Sequence, residues 1–378
     1  MNYANRHTCF GLRELLAPVG WETFLADYWE KRLCYIGGRD PEYYSDVFSL
    51  GDVDAVLPSA ERSGVPMARM VDRNKRSTED SAGFYGKFLG GSTVNINFVD
   101  RRFLPLHSLC RRMEEAFHFE VWANLYLTPP KSQGFAAHFD RHDVFVLQIA
   151  GEKRWEVWPP GYFLPLKDSR APQPKGMQGT PESLLLKPGD LLYLPRGFVH
   201  QAYAEEQATL HITLGVEPVR RIDLAIAALW LQAERTPALR EALPPGWIGR
   251  SIGHPQAGPL DETDITGSLL EASRDLIARL QPCLDNRFEV LAALESLDQS
   301  SVLRKREGMV SVLEAGEEKA HLYFRGGAFF GPVRILPALK FMVDNAAFRI
   351  ADLPELSPAS RLVLAKRLIK EGYLTVVP

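Results

Sequence analysis

A chain of 378 residues is longer than one average domain, so two or three domains are expected. With 46% hydrophobic and 24% charged residues and a net charge of −3, the composition is globular and has no overall pull towards nucleic acid or membrane. The start lacks an apolar signal core, no apolar run reaches membrane-spanning length, and four scattered cysteines (Cys9, Cys34, Cys110, Cys283) form no CxxC pair. Thiols in a reducing cytoplasm are expected, with neither a disulfide framework nor a zinc knuckle.

In chain order, Trp21, Phe24, Leu25, Tyr28 and Trp29 make a helical stripe that buries one face. A second stripe, Leu106, Leu109, Cys110, Met113 and Phe117, predicts a helix over 103–118. From about residue 92 short alternating segments predict strands at 94–99, 121–127, 143–150, 154–158, 191–194 and 209–214. Gly151-Glu-Lys between two of them reads as a hairpin turn, and residues 159–183, rich in Pro, Gly, Ser and Gln, as a long surface loop and candidate lid. Many short strands with Gly/Pro turns predict a barrel or a two-sheet roll.

After Val216 the pattern turns helical. Residues 222–233 are apolar nearly all round, which suits a helix buried against another domain or another subunit. Residues 268–297 carry a further helical set that includes Leu269, Leu276, Leu280 and Leu291. A hairpin of 309–313 against 320–324 follows, then a helix with Ser357 as N-cap, Pro358 at its first position and Gly372 past its end. Short helices plus a hairpin look like a winged-helix module.

The chemistry concentrates in His138-Phe-Asp140 and, sixty residues on, in Gly189-Asp-Leu-Leu-Tyr-Leu-Pro195-Arg-Gly197-Phe-Val-His200. On a strand, residues two apart share a face, so His138 and Asp140 can reach one ion together. Pro195 and Gly197 form a tight entry that carries His200 across to them. Two histidines and one carboxylate leave coordination positions open, which signals non-haem Fe(II) rather than a four-ligand structural zinc. Lys153 has two equal readings on spacing alone: a solvated turn lysine beside Glu152, or a buried cation awaiting an anion. His142 and His211 lie near the motifs and are candidates to line the pocket, but no spacing rule makes either a ligand.

These residues resemble the JmjC-type 2-oxoglutarate oxygenases of the cupin superfamily, and within them the ribosomal oxygenases, closest to the nucleolar histidyl-hydroxylase branch. The run from Asn124 to Asp140 is similar to the approach to the family's iron-binding HxD. Asp143 to Trp155 is similar to the strand ending in its co-substrate lysine, and Lys187 to Ala202 to the strand with its last iron ligand. The resemblance implies an α+β chain: a double-stranded β-helix (jelly-roll) JmjC core with N-terminal helices over 1–217, a helical dimerisation region over 218–300, and a winged helix over 301–378. It implies that His138, Asp140 and His200 bind Fe(II) and that Lys153 binds the distal carboxylate of 2-oxoglutarate, with Asn124 and Tyr126 lining the same pocket. The implied activity is hydroxylation of a side chain, histidine before arginine and ahead of lysine demethylation, in a ribosomal protein or other peptide substrate, by a homodimer; the cysteines add a cytoplasmic setting.

Where relatives of that branch have an acidic Asp-x-Glu after the HxD, this chain has Arg141-His142-Asp143, positions expected at the mouth where a peptide enters. A non-oxidative cupin, an isomerase or a metal-dependent small-molecule binder, is the alternative, although such cupins more often present His-x-His. DNA binding is not expected: residues 301–378 hold 12 Lys/Arg against 8 Asp/Glu, and Arg361, Lys366, Arg367 and Lys370 suit a solvated face equally well.

Overall fold

The computed structural model describes residues 10–61, 68–71, 77–78, 84–167, 179–242, 245, 271, 273–282 and 286–377. The chain divides into two compact units, Met1–Pro218 and Val219–Pro378, each taken by itself here.

The first unit is built on eleven strands: β1 (Cys34–Ile36), β2 (Ala68–Val71), β3 (Ser77–Thr78), β4 (Thr93–Ile96), β5 (Glu120–Thr128), β6 (Asp143–Ala150), β7 (Lys153–Pro160), β8 (Glu182–Leu186), β9 (Leu191–Leu194), β10 (Phe198–Ala204) and β11 (Thr209–Glu217). One sheet runs β1-β9-β6-β11-β5-β4-β2-β3 and the other β10-β7-β8, all antiparallel. This is a cupin-type β-sandwich core in a mixed α+β unit. Its hydrophobic stripes are used as spacing predicts. Leu106, Leu109, Cys110, Met113 and Phe117 of the helix Leu104–Phe117 are all buried, and Phe24 of the helix Trp21–Asp27 packs edge-on against Tyr193 at 4.8 Å. Cys34 and Cys110 are free buried thiols.

Several expectations need correction. Gly151-Glu-Lys does not close a hairpin: β6 pairs with β9 and β11, whereas β7 pairs with β8 and β10. The turn carries the chain from one sheet to the other. Gly151 takes φ +66°, and a Cβ there would lie 2.1 Å from the Ala208 carbonyl oxygen, so only glycine fits. The strand expected over 94–99 stops at Ile96, because Phe98 adopts φ +52° and gives its N–H to Asn124 Oδ1 at 3.0 Å. His138-Phe-Asp140 is not in a regular strand. His138 forms an isolated antiparallel bridge with His200, and Phe139 between the ligand candidates is buried against Trp158 and Val199. In the expected loop over 159–183, β7 extends to Pro160 and β8 starts at Glu182; residues 168–178 lie outside the described residues.

The second unit starts with the helix Arg221–Arg235. This helix leaves Ile222, Ile226, Leu229 and Trp230 exposed in the single chain, Trp230 by 70%. Over 268–297, residues 273–279 and Arg287–Ala292 form two short helices, broken where Pro282 cannot donate an N–H; residues 268–270, 272 and 283–285, with Leu269, lie outside the described residues. Six strands follow: β12 (Val302–Lys305), β13 (Ser311–Ala315), β14 (Lys319–Phe324), β15 (Gly327–Pro332), β16 (Ala347–Arg349) and β17 (Leu374–Val376). They make two antiparallel sheets, β16-β12-β17 and β13-β14-β15, where only the β13–β14 hairpin is legible in the sequence. The helix Pro358–Glu371 is capped as expected: Ser357 Oγ accepts the Ser360 N–H at 3.2 Å, and Gly372 closes it at φ +92°. Among the described residues no helix is long and apolar enough to cross a membrane.

Candidate metal centre

A cavity of about 320 Å³ opens between the two sheets of the first unit. Period-2 alternation supplies its lining. On β5 and β11 the directly paired residues Asn124 and Thr213, and Tyr126 and His211, all reach it, while Leu125, Ile212 and Leu214 turn into the hydrophobic core.

His138, Asp140 and His200 meet on its wall, with their ligand atoms all within 4.8 Å of one another. Reciprocal backbone bonds fix the two histidines together: the His138 N–H donates to the His200 carbonyl at 3.1 Å, and the return bond is 2.8 Å. The Gly197 N–H anchors the Asp140 carbonyl at 2.9 Å. Gly197 itself takes φ +90°, and a Cβ there would sit 2.1 Å from the Tyr162 carbonyl oxygen, so the tight entry read in Pro195-Arg-Gly197 does require glycine.

Nδ1 of His138 donates to the Ala136 carbonyl at 2.8 Å, and Nδ1 of His200 to the Phe198 carbonyl at 3.1 Å. Both rings are thereby set in the tautomer with an Nε2 lone pair, and both Nε2 atoms face Asp140, at 4.0 and 3.6 Å. Burial, with the neighbouring His138, pushes His200 down to about 4, so it stands as a neutral ligand at neutral pH. Burial pulls the Asp140 carboxyl up, but His142, His138 and His200 together outweigh it and hold the group below the usual carboxylate range. Two neutral imidazole nitrogens and one ionised carboxylate, oriented by backbone carbonyls, could hold one divalent ion and leave positions open on it.

Lys153 opens β7 and points into the same cavity, only 4% exposed. Its Nζ donates to Thr128 Oγ1 at 3.0 Å and to His211 Nδ1 at 3.3 Å, and no carboxylate pairs with it among the described residues. Burial alone lowers it to about 7. The Trp155 ring stands between the two ends, 5.8 Å from His200 and 5.6 Å from His211. Of the two readings of Lys153, the solvated turn residue is excluded. Asn124 lines the cavity while its Oδ1 takes the Phe98 N–H, and Tyr126 stacks on His211 at 4.9 Å and 5°.

His142 and His211 do line the cavity, and the alternation of polar residues at 209, 211 and 213 with apolar ones at 210, 212 and 214 marks the inward face that carries His211. Thr128 and Trp155 reach the cavity from β5 and β7, and sequence reasoning gave them no part in the site. At the mouth, a groove of about 620 Å³ is lined by Arg141 and His142, with His142 packed on Trp122 at 4.9 Å. Asp143 is not there. It is fully buried, accepting from the Tyr193 hydroxyl at 2.8 Å and paired with Arg196 at 3.0 Å, so it belongs to the core rather than to a peptide entrance.

Residues 98–224 match the JmjC domain family. A Drosophila willistoni protein named bifunctional lysine-specific demethylase and histidyl-hydroxylase NO66 is 36% identical over 222 residues, covering 53% of this chain and 28% of that protein. The Drosophila melanogaster protein of the same name is 33% identical over 257 residues, covering 62% and 38%. The chain therefore spans about a third of the length of these curated relatives. Among solved structures, E. coli ycfD superposes with a TM-score of 0.58 at 19% identity, covering 95% of this chain and 99% of that one. The E. coli ribosomal oxygenase YcfD in complex with cobalt and 2-oxoglutarate gives 0.57 at 19%, covering 96% and 99%. At that identity the likeness is one of fold. The stretch that matches the JmjC domain model, residues 98–224, carries His138, Asp140, Lys153 and His200.

Proposed function

We propose that this chain is an Fe(II)- and 2-oxoglutarate-dependent protein hydroxylase acting on a ribosomal-protein side chain, histidine first and arginine next. The observation that carries the reading is a buried lysine, without a carboxylate partner among the described residues, sharing one cavity with a two-histidine, one-carboxylate set. A cation so placed is costly unless an anion joins it, and a dicarboxylate that chelates the metal at one end supplies that anion at the other. The names of the histidyl-hydroxylase relatives, and the 2-oxoglutarate held by the structural neighbour, support the same class.

In this reading His138, Asp140 and His200 hold the iron, and Lys153 binds the distal carboxylate of 2-oxoglutarate. Thr128 and His211 orient the ammonium, and Asn124 and Tyr126 complete the wall. Iron with 2-oxoglutarate, when bound, supplies dioxygen activation: one oxygen atom goes to succinate as carbon dioxide leaves, and the other goes to the substrate C–H bond. The chain's part is to keep two neutral imidazoles and an ionised carboxylate on one ion, keep water out around Val144 and Trp155, and admit one side chain past Arg141 and His142.

For the rest of the molecule the reading is a catalytic domain over 1–217, a helical dimerisation region over 218–300 and a winged helix over 301–378, in a cytoplasmic homodimer. The exposed apolar residues of Arg221–Arg235 support the dimer, and the capped helix Pro358–Glu371 beside short sheets supports the winged helix. DNA is not a partner in this reading. Lys366 is paired with Glu295 at 2.7 Å and Arg367 with Glu371 at 2.6 Å, which leaves less of that helix's charge for phosphates.

The test is substrate-dependent succinate formation. His138→Ala is expected to abolish it while the fold persists, and Lys153→Ala to weaken 2-oxoglutarate binding above all. Full turnover in His138→Ala would overturn the assignment.

A further inference from the structure

The second unit carries a groove of about 580 Å³ that the chemistry of the first unit does not use. One wall is β15 and the other is the helix Pro358–Glu371, through Val363 and Leu364. Phe329 and Phe330 are neighbours on a strand, so their side chains leave opposite faces of the sheet. Both line this groove. It therefore runs along the edge of β15 rather than over one face.

That edge is open. Among the described residues β15 is the last strand of its sheet, paired only with β14. Just past it, Val333 gives its N–H to the Glu318 carbonyl at 2.9 Å, which fixes the parity of the ladder. Gly327, Phe329 and Gly331 turn their backbone groups to β14; Ala328 and Phe330 turn theirs outward. The surroundings are apolar and accessible, with Phe330 54% and Val363 69% exposed. The outward N–H and C=O groups of Ala328 and Phe330, beside the apolar Val363 and Leu364 of the helix, are a short template for one more strand.

Charge narrows the occupant. Arg334 and Arg367 line the groove, and among the described residues no acidic one does. Arg367 is shared with Glu371 at 2.6 Å, while among the described residues no carboxylate pairs with Arg334. A second copy of this edge would bring like charge to like charge, which disfavours self-pairing.

We propose that this groove binds an extended peptide segment of a partner protein, added as a strand to β15 and carrying an acidic side chain for Arg334. The backbone supplies the affinity and the arginine selects the sign of charge, independently of what the JmjC cavity does.

The probes are capped peptides about eight residues long that alternate valine and threonine around one central glutamate. Their controls are the lysine counterpart and a copy N-methylated at alternate backbone nitrogens. With the isotopically labelled full chain, the glutamate peptide is expected to slow hydrogen exchange at the Ala328 and Phe330 amides, and the N-methylated copy to have no effect. Arg334→Glu should weaken the glutamate peptide about fivefold and strengthen the lysine peptide. Unchanged exchange at both amides with millimolar peptide would overturn the proposal. So would equal binding of the two charges, protection that rises with protein concentration alone (a second copy), or protection by duplex DNA and by no peptide.

Discussion

Lys153 is a buried cation that meets a hydroxyl and an imidazole but no carboxylate among the described residues, and burial holds it at about 7. The free lysine therefore loses its proton as pH rises through about 7, whereas a bound carboxylate requires the charged form. Binding of 2-oxoglutarate should take up a proton above that point, and its affinity should fall ~tenfold per pH unit until the raised value of the complex is reached. Calorimetry at about pH 8 in buffers of different ionisation heat should give an uptake approaching one proton; no uptake would remove Lys153 from the co-substrate site. Asp143 stands at the other extreme. Its partners Arg196 and Tyr193 are buried with it, so Asp143→Ala should cost about 3 kcal/mol in urea unfolding by leaving Arg196 short of a counter-charge. A change near zero would mean that Glu30, Arg196's other partner, suffices. The ligand set was legible because each half of it sits in a distinctive local motif. The contacts of Thr128 and His211 with Lys153 were not, since they span 25 and 58 residues of sequence, a pairing that no local pattern states.

At the scale of elements, alternation identified most core strands, and the polar inward face of β11 was already written in Thr209-Leu-His-Ile-Thr-Leu214. What it could not give was which strands pair. A glycine turn between two apolar strands looks the same whether it closes a hairpin or crosses between sheets, and only the long-range ladders of β6 with β9 and β11, and of β7 with β8 and β10, decide. The same ambiguity made His138-Phe-Asp140 look like a regular strand, when a single bridge to His200 holds it. The Gly151 crossing matters because Lys153 lies two residues beyond it. Gly151→Ala should destabilise by about 2 kcal/mol or more, given the positive φ and the clash with the Ala208 carbonyl, and should weaken 2-oxoglutarate binding as well. Thermal unfolding and a co-substrate titration of one preparation check both; a loss of stability with intact affinity would mean that the crossing does not position the lysine.

For the whole molecule, length predicts two or three domains and the texture changes near Val216, and the chain divides into two compact units, Met1–Pro218 and Val219–Pro378. The helix that follows is apolar nearly all round by composition, which suits burial against another domain or another subunit. Its exposed Ile222, Ile226, Leu229 and Trp230 are the surface that a dimer would cover. Trp230→Glu should convert a dimer to a monomer by sedimentation at micromolar concentration; a wild-type chain that is already monomeric would assign that surface to something else. The central claim is hydroxylation of a protein side chain at the His138, Asp140, His200 centre. Intact-mass analysis of ribosomal proteins treated with the chain, Fe(II), 2-oxoglutarate and dioxygen tests it most directly. A gain of one oxygen atom on a ribosomal protein, absent with His138→Ala, is the expected result; no mass change, or the same change with His138→Ala, would contradict it.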